Sequence, residues 1–139
     1  MSSESNALHS PAPGAVGSPY RVLVVDDSPE LVRLMRRMLG AGRYTIVEAD
    51  SAEQAVIRIQ GSPQRFDLVI SDIVMPGTDG YELATQIREQ VGALVLMSGS
   101  EVDLARLPPG VGFIAKPFTA QQLRDFVART LDPGGAQGW

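Results

Sequence analysis

Residues 67–80 read DLVISDIVMPGTDG and join a short apolar run to a polar turn that contains proline and glycine. The run from Asp67 to Ser71 is too short for a typical helix and predicts a buried strand. The turn from Asp72 to Gly80 interrupts regular structure and leaves an acidic side chain at the strand end. Residues 81–90 follow with apolar side chains at helical spacing, so this stretch predicts one strand–turn–helix unit.

The same alternation continues on both sides of this unit. Helix starts are indicated by Ser28 with Pro29, by Ser51 with Gln54 as a capping box, and by Thr119 with Gln122. The predicted strands are Arg21–Asp26, Tyr44–Ala49, Asp67–Ser71, Ala93–Met97 and Val111–Ala115. Five strand–helix units in series predict an α/β domain with right-handed crossovers and a parallel sheet covered on both faces.

The 139 residues suffice for one domain. Residues 1–19 are rich in Ser, Pro, Gly and Ala and show no hydrophobic period, which predicts a disordered tail or linker. Residues 20–132 carry the pattern of a single folded domain, and residues 133–139, PGGAQGW, are expected to form a flexible C-terminal tail. The chain contains no internal repeat.

The composition excludes several kinds of chemistry. There is no cysteine, so disulfides, thiolate metal sites and cysteine nucleophiles are impossible. The single histidine, His9, lies in the predicted tail, and any metal must therefore be held by oxygen, which favours Mg2+ or Ca2+. The formal charge of −4 provides no basic field for nucleic acid or anionic lipid. With neither a membrane-length apolar run nor a secretory signal, we expect a cytoplasmic protein.

Polar side chains collect where the predicted strands end. Asp26 and Asp27 end the first strand, Asp72 follows the third, Ser98 the fourth, and Lys116, the only lysine, the fifth. Each alone has an ordinary alternative: a helix cap, a turn former, a strand-end hydroxyl or a surface lysine. Together they indicate a site, because the carboxyl ends of parallel strands meet at one edge of the sheet.

The charges of these residues favour a divalent cation. Three clustered carboxylates carry −3, and Lys116 reduces the sum to −2. Mg2+ would neutralise the remainder, since it accepts one or two carboxylates and takes phosphate oxygens as further ligands. A carboxylate in such a site can act as a phosphoryl acceptor and form an aspartyl phosphate.

Four motifs at these strand ends resemble the response-regulator receiver domains of bacterial two-component signalling. They are VVDDS at 24–28, ISDIVMPGTDG at 70–80, MSGS at 97–100 and KPF at 116–118. The resemblance covers about residues 20–132. It implies a flavodoxin-like, doubly wound five-stranded parallel sheet with strand order 2-1-3-4-5.

The resemblance also implies the metal and phosphoryl chemistry. Asp72 would be the phosphoacceptor, and Lys116 would pair first with its carboxylate and then with the phosphoryl group. Asp27 would bind Mg2+ directly, Asp26 would assist largely through water, and the backbone carbonyl of Val74 would complete the protein ligands. The phosphoryl donor would be a sensor histidine kinase or a histidine phosphotransfer protein, and the downstream protein target remains open.

Three further residues take roles from the same resemblance. Ser98 would hydrogen-bond a phosphoryl oxygen and move on phosphorylation, coupled to Phe113 as the switch aromatic. Phe113 has no hydroxyl, so it could signal only by repacking, and it is equally well explained as a core residue. Pro117 resembles the cis-proline that directs the lysine into the site, since cis bonds are nearly confined to proline.

The chain departs from the family between its fourth and fifth strands. The stretch from Ser98 to Lys116 is short and is broken by Pro108, Pro109 and Gly110, so we expect a short or irregular fourth helix. This truncated form resembles receivers attached to hybrid sensor kinases, and a dimer cannot be carried over from relatives. We expect no output domain within these 139 residues, so that the chain is either a stand-alone receiver, slightly favoured by Met1, or a fragment of a larger protein.

Two alternative functions stay open at this point. A phosphohydrolase that uses Asp26 as nucleophile would need a second aspartate two residues later, and Ser28 stands there. A pseudo-receiver would keep only the fold as a docking module. In a phosphorylatable receiver, Val74 and Ser100 would flank the path of a hydrolytic water, and neither can act as a strong base. We therefore expect a phosphoryl group that is lost slowly.

Overall fold

Five strands form one parallel sheet in the order β2-β1-β3-β4-β5, in a computed structural model that describes residues 19–40 and 42–132. The strands are β1 (Tyr20–Val25), β2 (Tyr44–Ala49), β3 (Leu68–Asp72), β4 (Leu94–Ser98) and β5 (Gly112–Ala115). The helices in the described residues are α1 (Pro29–Leu39), α2 (Ala52–Gly61), α3 (Gly80–Ile87) and α4 (Ala120–Leu131). The predicted flavodoxin-like α/β fold and its strand order are confirmed.

The sheet is covered on both faces, which is why its central strands are mostly apolar, with polar residues only at their carboxyl ends. Every residue of β3 and β4 is buried. Side chains alternate between the faces: Leu23 packs into one core cluster with α2 and α3, whereas Val24 packs into a second cluster with α1 and α4. None of the described helices is long and apolar enough to cross a membrane.

The predicted helix caps form with one variation. Ser28 accepts a hydrogen bond from the Leu31 amide, and Thr119 makes a complete capping box with its partner three residues later. Ser51 accepts from the amide of Gln54, but the Gln54 side chain turns to the Asp50 amide, so the predicted capping box is only half formed.

Two helical predictions are sharpened. The third helix ends at Ile87, not at Gln90, because the Gln90 amide bonds the Ile87 carbonyl and closes a tight turn. No α-helix forms between β4 and β5, a stretch that the structure describes throughout. Turn hydrogen bonds from Arg106 to Asp103 and from Leu107 to Leu104 replace it. Of the two forms predicted for this element, short or irregular, the segment therefore takes the irregular one.

The proposed tails can be placed only in part. Pro19 is described and carries no regular structure. The rest of the predicted N-terminal tail, with His9, and the whole of residues 133–139 lie outside the described residues. The domain limits of 20–132 therefore remain a prediction.

Candidate functional site

Strand register brings the polar strand ends to one edge of the sheet. Val25 of β1 lies beside Ser71 of β3, so Asp26 and Asp72 follow at adjacent positions. Asp72 is also aligned with Met97, one residue before Ser98. On the outer strand, the Lys116 amide donates to the Ser98 carbonyl at 2.8 Å and thereby continues the ladder beyond β5.

Three carboxylates form the centre of the site. Asp26 and Asp72 are buried, with 2% and 8% of their surface exposed, whereas Asp27 is exposed. One carboxylate oxygen from each lies within 4.8 Å of the others. Such a set of hard oxygen donors suits a cation of the Mg2+ or Ca2+ type.

The only lysine of the chain bridges the two buried acids. Lys116 Nζ lies 3.2 Å from Asp26 Oδ2 and 3.2 Å from Asp72 Oδ1. Its side chain is 24% exposed, so the ammonium is partly shielded from water. The peptide bond between Lys116 and Pro117 is cis. One positive charge among three negative ones leaves the site at −2, and the residues present therefore fit a divalent cation.

Asp26 is held at both of its oxygens. Oδ2 contacts Lys116, and Oδ1 accepts a hydrogen bond of 2.8 Å from the Ser28 amide. Ser28 in turn caps α1, so the cap and the acidic cluster share one turn of chain. With both oxygens engaged and the residue buried, Asp26 is poorly placed as a nucleophile, which weakens the phosphohydrolase alternative.

The environment of Asp72 disfavours its charged form. Burial raises the pKa of the Asp72 carboxyl above its ordinary value, the Lys116 ammonium opposes this, and the Asp26 carboxylate adds to it. Burial and a like charge thus outweigh the ion pair with the lysine. A carboxylate that is incompletely neutralised by its neighbours is one that gains from a bound cation.

The remaining predicted site residues lie around this centre. Ser98 is buried, and its hydroxyl accepts a hydrogen bond of 3.0 Å from the Ser100 amide. Val74 lies in the loop after β3 with its side chain 69% exposed. Phe113 on β5 is half-buried and packs against the core cluster that contains Tyr81. The switch roles of Ser98 and Phe113, and the carbonyl of Val74 as a ligand, remain predictions.

The close approach of Gly80, at the start of α3, to the backbone of Asp72 is a feature of the site that the sequence alone did not reveal. A Cβ at Gly80 would lie 2.4 Å from the Asp72 carbonyl oxygen, so only glycine permits this approach. Asp79 caps α3 through a complete capping box with Glu82. The Asp-x-x-Glu pattern at 79–82 is the sequence signal that could have identified this helix start.

Comparison with known proteins identifies relatives of the chain. A family model described as "Response regulator receiver domain" matches residues 22–128. The chain is 33% identical over 108 residues to Transcriptional regulatory protein ResD of Bacillus subtilis (strain 168), covering 74% of this chain and 44% of ResD. It is 35% identical over 102 residues to Response regulator GtcR of Aneurinibacillus migulanus, covering 70% and 41%.

Solved structures agree with these sequence matches. The receiver domain from Hybrid Histidine Kinase CckA is 33% identical with a TM-score of 0.69, covering 80% of this chain and 98% of that one. Chemotaxis response regulator CheY4 of Vibrio cholerae is 25% identical with a TM-score of 0.72, covering 82% and 100%. The chain thus spans nearly all of these structures but less than half the length of ResD or GtcR.

Proposed function

The chain belongs to the response regulator receiver domain family of two-component signalling, and we propose that Asp72 is its phosphoacceptor. In this proposal a phosphoryl group passes from the phosphohistidine of a partner protein to Asp72 in the presence of Mg2+. The modified domain then presents an altered surface to a further protein.

One observation carries this proposal: a single ammonium contacts two buried carboxylates within a cluster of three. Lys116 Nζ lies 3.2 Å from both Asp26 and Asp72, and the three acids approach within 4.8 Å. Two like charges are rarely buried side by side, because removing them from water and their mutual repulsion are both costly. A cluster of this kind is typical of functional sites.

Asp26, Asp27, Asp72 and the Val74 carbonyl are the groups that would hold Mg2+. When bound, the cation supplies neutralisation of the carboxylates and of the phosphoryl oxygens during in-line transfer. Asp27 suits direct coordination because it is exposed, whereas Asp26 already accepts hydrogen bonds at both oxygens and suits contact through water.

The transfer itself exchanges one bond to phosphorus for another. An Asp72 carboxylate oxygen attacks the phosphorus, the P–O bond forms, and the P–N bond to the donor imidazole breaks. The imidazole nitrogen keeps the electron pair of the broken bond and takes up a proton. Lys116, already 3.2 Å from Asp72 Oδ1, is placed to follow the growing negative charge onto the phosphoryl oxygens.

Ser98 and Phe113 carry the proposed response. The Ser98 hydroxyl accepts from the Ser100 amide, so its own proton can be donated to a phosphoryl oxygen. Phe113 is half-buried in the adjoining core and can repack when Ser98 moves. Pro117 follows Lys116 in the turn after β5, and the peptide bond between the two residues is cis.

The partner assignments follow from the same premise. The donor is a sensor histidine kinase or a histidine phosphotransfer protein, and the acceptor of the signal is another protein. The formal charge of −4 supplies no basic field for nucleic acid, which is why the proposed target is a protein. The domain assists only its own phosphorylation and dephosphorylation and does not act as an enzyme on other substrates. Because kinases make phosphohistidine from intracellular ATP, the proposal places the domain in the cytoplasm.

The proposal is tested with a small phosphodonor and intact-mass spectrometry. The wild-type chain should gain one phosphoryl group with Mg2+ and none with EDTA. Asp72→Asn should abolish the gain, and Asp125→Asn, which alters an exposed acid on α4, should leave it unchanged. Labelling that persists in Asp72→Asn would refute the site, and failure of the wild-type chain to bind Mg2+ would support the pseudo-receiver alternative.

A further inference from the structure

The segment between β4 and β5, residues 99–111, is fastened to α3 by a small group of polar contacts. The Asp103 amide donates to the Tyr81 hydroxyl oxygen at 2.7 Å. Arg106 forms an ion pair of 2.9 Å with Asp79, and its guanidinium lies 4.5 Å from the centre of the Tyr81 ring. We call these four residues, Asp79, Tyr81, Asp103 and Arg106, the Tyr81 latch.

One half of the latch is fixed to the phosphoacceptor strand. Asp79 and Tyr81 flank Gly80, whose amide donates to the Ile73 carbonyl at 2.8 Å. Gly80 also approaches the Asp72 carbonyl so closely that a Cβ there would lie 2.4 Å from that oxygen. The backbone of Asp72 and the first turn of α3 therefore have no free space between them, and a shift of one displaces the other.

The other half of the latch is fixed to Ser98. The segment begins directly after Ser98, whose hydroxyl accepts from the Ser100 amide at 3.0 Å. Asp103 follows only five positions after Ser98, so the latch and the Ser98 hydroxyl are joined by a short piece of chain. We therefore expect a displacement of Ser98 toward Asp72 to pull on the contact between Asp103 and Tyr81.

We propose that the Tyr81 latch stabilises the resting arrangement of residues 99–111 and opens when Asp72 is phosphorylated. The inference rests on the proposed function and adds a second route from Asp72 to the surface, through α3. Phe113 has no hydroxyl, and the phenolic oxygen that holds the segment is that of Tyr81, which accepts a hydrogen bond from the Asp103 amide. Coupling between two sites is reciprocal. Contacts in the Tyr81 latch that disfavour phosphorylation of Asp72 are therefore themselves disfavoured by phosphorylation, by the same free energy.

Opening of the latch would change one defined surface. Val102 and Leu107 are partly buried against the core below the segment, whereas Leu104 is 76% exposed at its outer side. When the contacts to Tyr81 and Asp79 are lost, these apolar side chains are no longer held in one arrangement. Residues 99–111 are therefore the surface that differs between the two states.

The first test measures affinity for beryllofluoride, a phosphoryl mimic, in Mg2+. Removing a contact that favours the resting state lowers the cost of leaving it, so Tyr81→Phe should bind about three- to tenfold more tightly than wild type. Tyr20→Phe is the matched control: its hydroxyl contacts the Leu131 carbonyl at 3.4 Å, away from the segment. Equal affinity of Tyr81→Phe and wild type would overturn the latch.

A second pair of variants tests the ionic half of the latch. Arg106→Ala should also tighten beryllofluoride binding, by less than Tyr81→Phe because the pair with Asp79 is partly exposed. Arg65→Ala removes an arginine that contacts only a backbone carbonyl, that of Val91, among the described residues, and should leave the affinity unchanged. Weaker binding in Arg106→Ala would contradict a latch that favours the resting state.

Hydrogen exchange supplies a readout that does not depend on affinity. In the free chain the Asp103 amide should be protected, and beryllofluoride should accelerate its exchange while the Leu83 amide, bonded to Asp79 within α3, stays protected. Unchanged Asp103 exchange in a chain that binds beryllofluoride refutes the latch and leaves the proposed function intact. Absence of any beryllofluoride binding to wild type refutes the proposed function, and the latch with it.

Discussion

Replacing Asp72 by asparagine should stabilise the metal-free protein. Burial raises the pKa of Asp72, so the ionised carboxylate is held in the folded state at a cost. Asparagine has nearly the same shape and no charge. The substitution therefore removes the cost of burying the charge and the repulsion from Asp26 and Asp27, together with the attraction to Lys116. Burial is the largest of these terms, so the net effect is stabilising.

The distances give the magnitude. At an effective dielectric constant of about 20, two carboxylates at the 4.8 Å upper limit of this cluster repel by about 3.5 kcal/mol, and the Lys116 pair at 3.2 Å attracts by about 5 kcal/mol. The two repulsions exceed the attraction by about 2 kcal/mol, and solvent around the exposed Asp27 reduces that excess. We expect Asp72→Asn to raise the free energy of unfolding by about 1–2 kcal/mol, or Tm by roughly 3–8 °C.

The assay is urea and thermal unfolding at pH 7.5 in EDTA, followed by circular dichroism. A carboxyl whose pKa is raised on folding contributes stability at low pH that is lost as the pH rises through the folded pKa. The gain from Asp72→Asn should therefore be full at neutral pH and vanish below the ordinary pKa of an aspartate. Asp125→Asn, at an exposed site, should change little at either pH.

Added Mg2+ should reverse the order of stability. A ligand that binds only the folded state adds about 2.7 kcal/mol at a hundred times its Kd, and wild type should gain more than Asp72→Asn, which has lost one carboxylate ligand. Destabilisation by Asp72→Asn in EDTA, or a gain that persists undiminished at acid pH, would refute the electrostatic account of the site.

Substitutions at three other positions, Lys116, Gly80 and Val74, probe neighbouring features. Lys116→Met leaves two buried carboxylates without their ammonium, so it should lower the urea midpoint and abolish labelling by the phosphodonor. Lys116→Arg should keep most of the stability but impair labelling, because a planar guanidinium does not replace a compact ammonium. Full labelling of either variant would contradict the role of Lys116. Gly80→Ala should lower the free energy of unfolding by about 2 kcal/mol. Gly61→Ala is the control: its Cβ would meet nothing within 4 Å, so it should not destabilise the protein. Equal effects of the two substitutions would contradict the close approach at Gly80. The aspartyl phosphate should be hydrolysed slowly in the wild-type chain. Val74→Gln should shorten the lifetime of the phosphoryl group, because an amide can orient water and valine cannot. A wild-type half-life of seconds would exclude this role of Val74.

The strand-end residues could be predicted from the sequence because the geometry of a parallel sheet is general. Once the apolar runs are identified, their carboxyl ends must share an edge, and Asp26, Asp72, Ser98 and Lys116 follow from their positions alone. The same reasoning could not supply the bridging of two acids by Lys116, since which oxygens meet one ammonium depends on side-chain packing.

The contacts of the Tyr81 latch could not be predicted from the sequence for a different reason. Residues 99–111 have no hydrophobic period, so the pattern gives neither their path nor their contacts. The hydrogen bond from Asp103 to Tyr81 and the ion pair from Arg106 to Asp79 join segments 22 and 27 positions apart. Such pairs become visible only when the fold brings an irregular segment onto a helix.

The central claim is that Asp72 carries the phosphoryl group, and borohydride trapping tests it most directly. Borohydride reduces an aspartyl phosphate to homoserine, which tandem mass spectrometry can locate in the sequence. After treatment with a phosphodonor and Mg2+, we expect homoserine at position 72 and at no other acid, and none when EDTA replaces Mg2+. Homoserine at position 26 or 27, or at position 72 without Mg2+, would contradict it.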